Sequence, residues 1–390
     1  MSERKFHFDG PVLHCHNRPM TTLPPALART TLATICLSVF ALFTAQASDS
    51  TSRVSPIRLS PPGKVIKAAV GTNKTIHVLL DAADGPQYRK SQDNGVTFSE
   101  PIAIVDSASQ KPGLKFSAWD LAVGKDGRVH VALGNNAWKL KLPQEEWGLY
   151  YATLTTGATA FSPLRNINRK PSEGFSLAAN ERGDVTACFL SGKLFAMRSR
   201  DNGESFAATA ELEPAWNPCD CCTTASAYGP DGRLALLYRE ETGNDRDMFV
   251  ALWDQDGKGK PTRRAVSTTP WKLAACPMTY FSINRTETGY VVAWPTKGDI
   301  YFARLDNDGA VLPPGEIKTS GTCGMRTGLV AVGARDGATL VAWRTKEKDA
   351  LRWQIYNAKG EAEGKPGSEA SSGSGAAAVT LADGKFLVFP

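Results

Sequence analysis

The eight residues Ser91-Gln92-Asp93-Asn94-Gly95-Val96-Thr97-Phe98 return, about a hundred residues later, as Ser199-Arg200-Asp201-Asn202-Gly203-Glu204-Ser205-Phe206. A turn this specific occurring twice points to a repeat fold. Each copy follows a short strand-like run (87–90 and 195–198) and precedes another (101–105 and 207–212), which makes it a hairpin turn. The residue types suit that role. Asp93 and Asp201 can accept from backbone N–H groups inside the turn, and Gly95 and Gly203 can take positive φ. Phe98 and Phe206 are placed to pack under the sheet.

A second, longer period runs through the whole chain. A unit of strand, Gly/Asp/Asn turn and alternating apolar strand occurs at 65–80, 121–133, 176–190, 224–237, 280–294, 329–343 and 376–389. These seven inner hairpins recur roughly every 50 residues, the spacing of propeller blades. Outer strands follow at 87–90, 148–154, 194–198, 248–254, 299–305 and 350–356. The seventh unit ends after two strands, so the strand around Ile57 (54–59) is free to complete it and close the ring. Residues 360–375, rich in Gly, Ser and Glu, read as a polar loop, and no helical periodicity appears. The expectation is an all-β chain forming a single β-propeller of six or seven blades.

The pattern of Ser91, Asp93, Gly95 and Phe98, matched by Ser199, Asp201, Gly203 and Phe206, resembles the Asp-box of sialidases and other BNR-repeat propellers. The stretch 219–246 and Trp271 to Met278 is similar to exported bacterial proteins grouped as sialidase-like. The likeness spans about residue 65 to the carboxyl terminus. It implies a propeller that binds or hydrolyses glycans, with exo-α-sialidase as the specific enzymatic form. It also implies a six-bladed ring and an Asp-box lying away from the active site. Fold does not by itself imply function. A different class of reading is a non-catalytic periplasmic propeller that docks a protein partner through its tryptophans, among them Trp119, Trp138, Trp147, Trp216 and Trp271.

Residues 31–43 form an apolar run preceded by Arg29 and followed by Ala45-Gln46-Ala47, the pattern of a signal peptide cleaved after Ala47. Met20 would be a conventional start for it. The domain reading is therefore 1–47 signal peptide, 48–64 leader and closing strand, and 65–390 propeller. An exported, periplasmic or secreted product follows, with no stretch of the roughly 20 apolar residues that a membrane helix needs. The formal charge of +6 is spread without a basic run, which argues against nucleic-acid binding.

Six cysteines remain beyond that cleavage point: Cys188, Cys219, Cys221, Cys222, Cys276 and Cys323. In the propeller map all six point toward one face. An even count in an oxidising compartment suits disulfides, whose connectivity cannot be read from sequence. The alternative is a copper site, because soft sulfur selects Cu(I) and Met278 and Met325 each follow a cysteine by two residues. No cofactor is required by the glycosidase reading.

For that reading the residues sought are cations for an anionic sugar, an acid and a nucleophile. Sialidases in general use three arginines, a Tyr/Glu pair and an Asp. The candidates carried onto this chain are Arg239, Arg246 and Arg326 as the carboxylate clamp, Asp120 as the acid, and Tyr280 activated by Glu240 as the nucleophile. The chain departs from the family's Arg-Ile-Pro, offering Ile57-Arg58-Leu59 with Pro56 ahead of it.

Overall fold

A computed structural model describes residues 53–106, 111–169, 172–254, 257 and 259–390. The signal-peptide reading and the Met20 start fall outside these residues. The described residues form one compact unit. It is an all-β ring of seven blades, one more than the sialidase resemblance implies.

Six blades are four-stranded and antiparallel. Blade 1 runs from Lys64–Val70 out to Ile102–Ala103, blade 2 from Phe116–Val123 to Arg165–Asn168, and blade 3 from Glu173–Ala179 to Ala210–Glu211. Blade 4 runs from Ala225–Tyr228 to Thr262–Ala265, blade 5 from Ser282–Arg285 to Ile317–Thr322, and blade 6 from Leu329–Gly333 to Ala362–Ala370. Blade 7 has Ala377–Thr380 and Phe386–Phe389, joined by Val54–Pro56 from the other end of the chain. That closing strand lies parallel to Phe386–Phe389, with Val54 opposite Phe386 and Pro56 opposite Val388. The ring closes as the hairpin count predicts.

The last strand of blade 6 corrects one expectation. Residues 360–375 are not a loop throughout, since Ala362–Ala370 pairs with Ala350–Tyr356. Its side chains are mostly exposed, so no apolar alternation marks it in the sequence.

The core is divided among the gaps between blades. Seven apolar clusters fill the seven gaps, one for each neighbouring pair. The period of two along a strand explains this. In Thr339–Arg344, Leu340 and Ala342 pack toward blade 7 while Val341 and Trp343 pack toward blade 5. A strand buried on both faces reads as continuously apolar. That is the pattern of every second strand in the ring.

Polar tethers cross the same gaps. Asp81 at the end of Ile76–Ala82 accepts from the Ala118 N–H of blade 2 at 2.8 Å. Ser176 of blade 3 shares a 2.8 Å hydrogen bond with Thr224 beside blade 4.

The two Asp-box turns also bridge blades. Ser91 Oγ donates to Asp93 Oδ1 at 2.7 Å and accepts from Gly95 N–H at 2.9 Å, while Thr97 N–H donates to Asp93 at 2.9 Å. In the second box Gly203 N–H donates to Ser199 Oγ at 2.8 Å and Ser205 N–H to Asp201 at 2.9 Å. Hydrogen bonds from Thr97 and Ser91 hold the Asp93 carboxyl down to about 2, and those from Ser199 and Ser205 do the same for Asp201. Gly203 is at φ +84°, and a Cβ there would stand 1.9 Å from the Tyr151 hydroxyl of blade 2. Phe206 meets the Tyr151 ring edge-on, with centroids 5.0 Å apart. Each aromatic thus packs on the preceding blade rather than under its own sheet.

Candidate functional site

Loops leading into the first strands, and loops leaving the second, gather on one face of the ring. Between blades 2, 3 and 4 they surround a cavity of about 970 Å³. Its walls include Trp119 and Trp138 from blade 2, Glu173 from blade 3, Asp220 from the loop before blade 4, Tyr280 and Arg326. Trp119 is braced edge-on by Phe175 at 4.9 Å, and Trp138 is 59% exposed. Aromatic faces beside hydrogen-bonding groups suit a sugar, which offers both C–H faces and hydroxyls.

Of the arginines and acids sought from sequence, the cavity brings together Tyr280 and Arg326. The Arg326 guanidinium has no hydrogen-bond or ion-pair partner among the described residues, and its charge acts on both Tyr280 and Glu173. Burial raises the Tyr280 phenol, opposed by Arg326. The Glu173 carboxyl is raised by burial first and by the negative charge of Asp220 second, with Arg326 opposing. A carboxyl held toward its protonated form beside a second carboxylate is the arrangement of a general acid with a partner. Asp220 is fixed by the Gly192 N–H at 2.9 Å.

The other candidates lie elsewhere, for clear physical reasons. Arg239 is buried, donating to the carbonyl of Arg246 at 2.6 Å and to that of Pro295, with its guanidinium over Trp271 at 4.7 Å. Arg246 is buried as well, holding the carbonyls of Leu273 and Ala275 at 3.1 Å and pairing with Glu241. Glu240 pairs with Arg263 at 2.7 Å, not with Tyr280. Asp120 sits within the first strand of blade 2 and accepts from Leu121 N–H at 2.9 Å and from Leu177 N–H of blade 3 at 2.8 Å. These four brace loops and blades.

The cysteines divide. Cys188 is buried in the gap between blades 3 and 4 and does not reach the face where the others lie. Cys323, half-buried, packs against the gap between blades 5 and 6. Cys221 and Cys276 form a disulfide joining the loop before blade 4 to the loop before blade 5. Cys219 and Cys222 remain thiols with their sulfurs 3.1 Å apart, and Cys219 lies 3.6 Å from the Cys221 sulfur. Hydrogen bonding from Cys219 lowers the Cys222 thiol against its burial, helped by Arg239 and Thr279, and the same hydrogen bond raises Cys219. Met278 accepts Arg326 N–H at its carbonyl at 2.8 Å, and Met325 is 66% exposed. Trp216 is buried against Tyr238 and offers no free face for a ligand.

Glu173 and Asp220 were not singled out by sequence reasoning. Glu173 opens the first strand of blade 3, the kind of position from which a side chain reaches the mouth, and Asp220 is hidden between cysteines.

No protein-family model matches the chain, and no curated protein matches it. Solved structures do. A polysaccharide lyase, the PL25 ulvan lyase bound to -[GlcA(1-4)Rha3S]-, is 10% identical with a TM-score of 0.53, over 84% of this chain and 91% of that one. A quinonprotein alcohol dehydrogenase-like protein from Bacteroides thetaiotaomicron is 13% identical with a TM-score of 0.48, over 78% and 67%. A Hadza microbial sialidase is 12% identical with a TM-score of 0.43, over 77% and 70%. At these identities the likeness is one of fold. No helix among the described residues is long and apolar enough to cross a membrane.

Proposed function

We propose that the chain is an exported propeller that binds an acidic glycan in the mouth cavity and hydrolyses it there. The observation that carries this reading is the unpartnered Arg326 guanidinium, acting on Tyr280 and Glu173 in a cavity walled by Trp119 and Trp138. Arg326 takes the sugar carboxylate, for which a guanidinium is the fitting partner. The tryptophans take the sugar faces. Glu173 donates its proton to the leaving oxygen as the glycosidic bond breaks, Asp220 as the second carboxylate takes a proton from the water that bonds to the anomeric carbon, and Tyr280 orients the ring by hydrogen bonding. The exo-α-sialidase form with Arg239 and Arg246 as clamp draws less support, because both guanidiniums are buried on backbone carbonyls. The Cys221–Cys276 disulfide is consistent with export, since such bridges persist in oxidising compartments.

The test is a panel of fluorogenic sialosides and uronides with the protein, its Arg326→Ala form and its Glu173→Gln form. Turnover of an acidic glycoside that both substitutions abolish supports the reading. Neither turnover nor saturable binding of any acidic sugar overturns it. A protein-docking role, favoured by the exposed Trp138 and Met325 on the same face, then takes its place.

A further inference from the structure

The sulfur cluster beside the cavity is not used by the glycan reading. Cys219, Cys221 and Cys222 place their sulfurs within 4.8 Å of one another. The turn between them is set by the backbone, with Cys222 N–H donating to Cys219 carbonyl at 3.1 Å and Cys219 N–H to Arg239 carbonyl at 2.8 Å. With Cys221 tied to Cys276, two thiols are left facing each other. Cys222 also forms part of the cavity wall, with both thiols buried just behind it, Cys219 at 1% and Cys222 at 2% exposure.

The unusual neighbour is Arg239. It is 1% exposed and meets two carbonyls and two aromatic rings, Trp271 and Phe281. Among the described residues no carboxylate stands within ion-pair distance of it, and its Nε has no partner. A buried cation without a counter-charge is costly. Of the groups that act on it electrostatically, the Asp247 carboxylate stands beyond ion-pair distance, and the Cys219–Cys222 thiol pair is the one that can become anionic beside it.

We propose that Cys219 and Cys222 form a two-thiolate site for a monovalent soft cation, Cu(I), with Arg239 as its counter-charge. The balance is direct. Both thiols release a proton, Cu(I) bonds to both sulfurs, and the resulting bis-thiolate complex carries one negative charge, which the guanidinium offsets. A divalent ion on the same two thiolates would be neutral, leaving Arg239 uncompensated and two positions of a tetrahedral ion unfilled. Thiolate softness selects Cu(I) for the same pair. Metal–sulfur bonds of about 2.3 Å require the sulfurs to part beyond their present 3.1 Å, a side-chain rotation within the turn. The site does not draw on Met278 or Met325.

The experiment uses the protein purified without reductant. A thiol count under denaturing conditions is expected to return four free thiols among the described residues, Cys219 and Cys222 together with Cys188 and Cys323. Anaerobic titration with Cu(I) against a chromophoric chelator is expected to load one equivalent. Cys219→Ser and Cys222→Ser each weaken retention at least 100-fold, while Cys323→Ser leaves it unchanged. X-ray absorption of the copper-loaded unsubstituted protein, with two sulfur neighbours expected, keeps the test valid if the serine forms misfold. A Cys219–Cys222 disulfide, no retention against the chelator, retention that survives both serine forms, or a shell of other than two sulfurs overturns the proposal. Absence of glycan turnover leaves each of these results standing.

Discussion

Phe98 of the first Asp-box stands edge-on to Phe389, one residue from the end of the chain, with ring centroids 6.1 Å apart and planes at 85°. The first Asp-box is therefore part of the ring closure. Gly95 beneath it, at φ +87°, approaches Leu387 so closely that a Cβ would stand 2.6 Å from that side chain.

Truncating this pair tests the closure. Phe389 is fully buried, and Phe389→Ala is expected to destabilise the protein by about 3–5 kcal/mol. Phe98 is half-buried, so Phe98→Ala should cost about 1–2 kcal/mol, with a coupling of about 1 kcal/mol between the two. Denaturant unfolding of the four members of the double-mutant cycle measures all three quantities. Zero coupling would show that the box does not help close the ring.

Two histidines set an acid limit. His77 Nδ1 lies 2.7 Å from the Tyr88 hydroxyl, and His130 Nδ1 lies 2.6 Å from that of Tyr151. Burial, with Lys90 adding to it, lowers His77 to about 4. Burial and Arg128 lower His130 to about 3, with Asn202 opposing. The unfolded chain binds these protons near its ordinary value of about 6.5, so it gains protons before the folded chain does. Stability is intact above that value and falls on acidification, by about 1.4 kcal/mol per pH unit for each histidine until its folded value is reached. Urea midpoints from pH 7 to 4 should show this slope, and His130→Gln should flatten it by about half of the histidine contribution.

The arginines separate by function. Arg239→Lys is expected to lose about 2–3 kcal/mol of stability, because one ammonium cannot serve the carbonyls of both Arg246 and Pro295. Arg326→Lys should stay within about 0.5 kcal/mol of the parent in stability while weakening acidic-sugar binding. Thermal unfolding and calorimetric titration of the two variants side by side make the comparison.

The pH profile of glycan turnover tests the acid. Glu173 is active while protonated, so the rate falls on the alkaline side of its titration. Asp220 is one of the charges that raise it, and Asp220→Asn is expected to move the alkaline limb to lower pH. A limb that stays in place in that variant, or persists in Glu173→Gln, removes Glu173 from the role.

The ring was legible in the sequence because its inner strands alternate between two buried gaps and its hairpins recur at one period. Leu340 and Val341 carry that signal in their neighbouring but opposite burial. Ala362–Ala370 carried none, since an outer strand with exposed side chains looks like a loop. The site was legible only in part. Tyr280 and Arg326 are on the mouth, as their place before an inner hairpin suggests, yet Arg239 and Arg246 from equally mouth-side positions turn inward onto carbonyls. Sequence position fixes which loop a residue occupies but not whether its side chain leaves that loop outward or inward. The blade count was open for a different reason: the seven inner hairpins give seven blades, whereas the sialidase resemblance implies six, and the sheets settle it at seven.

The parallel pairing of Val54–Pro56 with Phe386–Phe389 has a mechanical consequence. Tension drawing residue 53 and residue 390 apart slides these strands along each other, in shear. All three register pairs, Val54 with Phe386, Ser55 with Leu387 and Pro56 with Val388, then carry the load together rather than peeling in turn. The short strand that completes blade 7 is a latch placed to resist being pulled open by the ends of the chain it fastens.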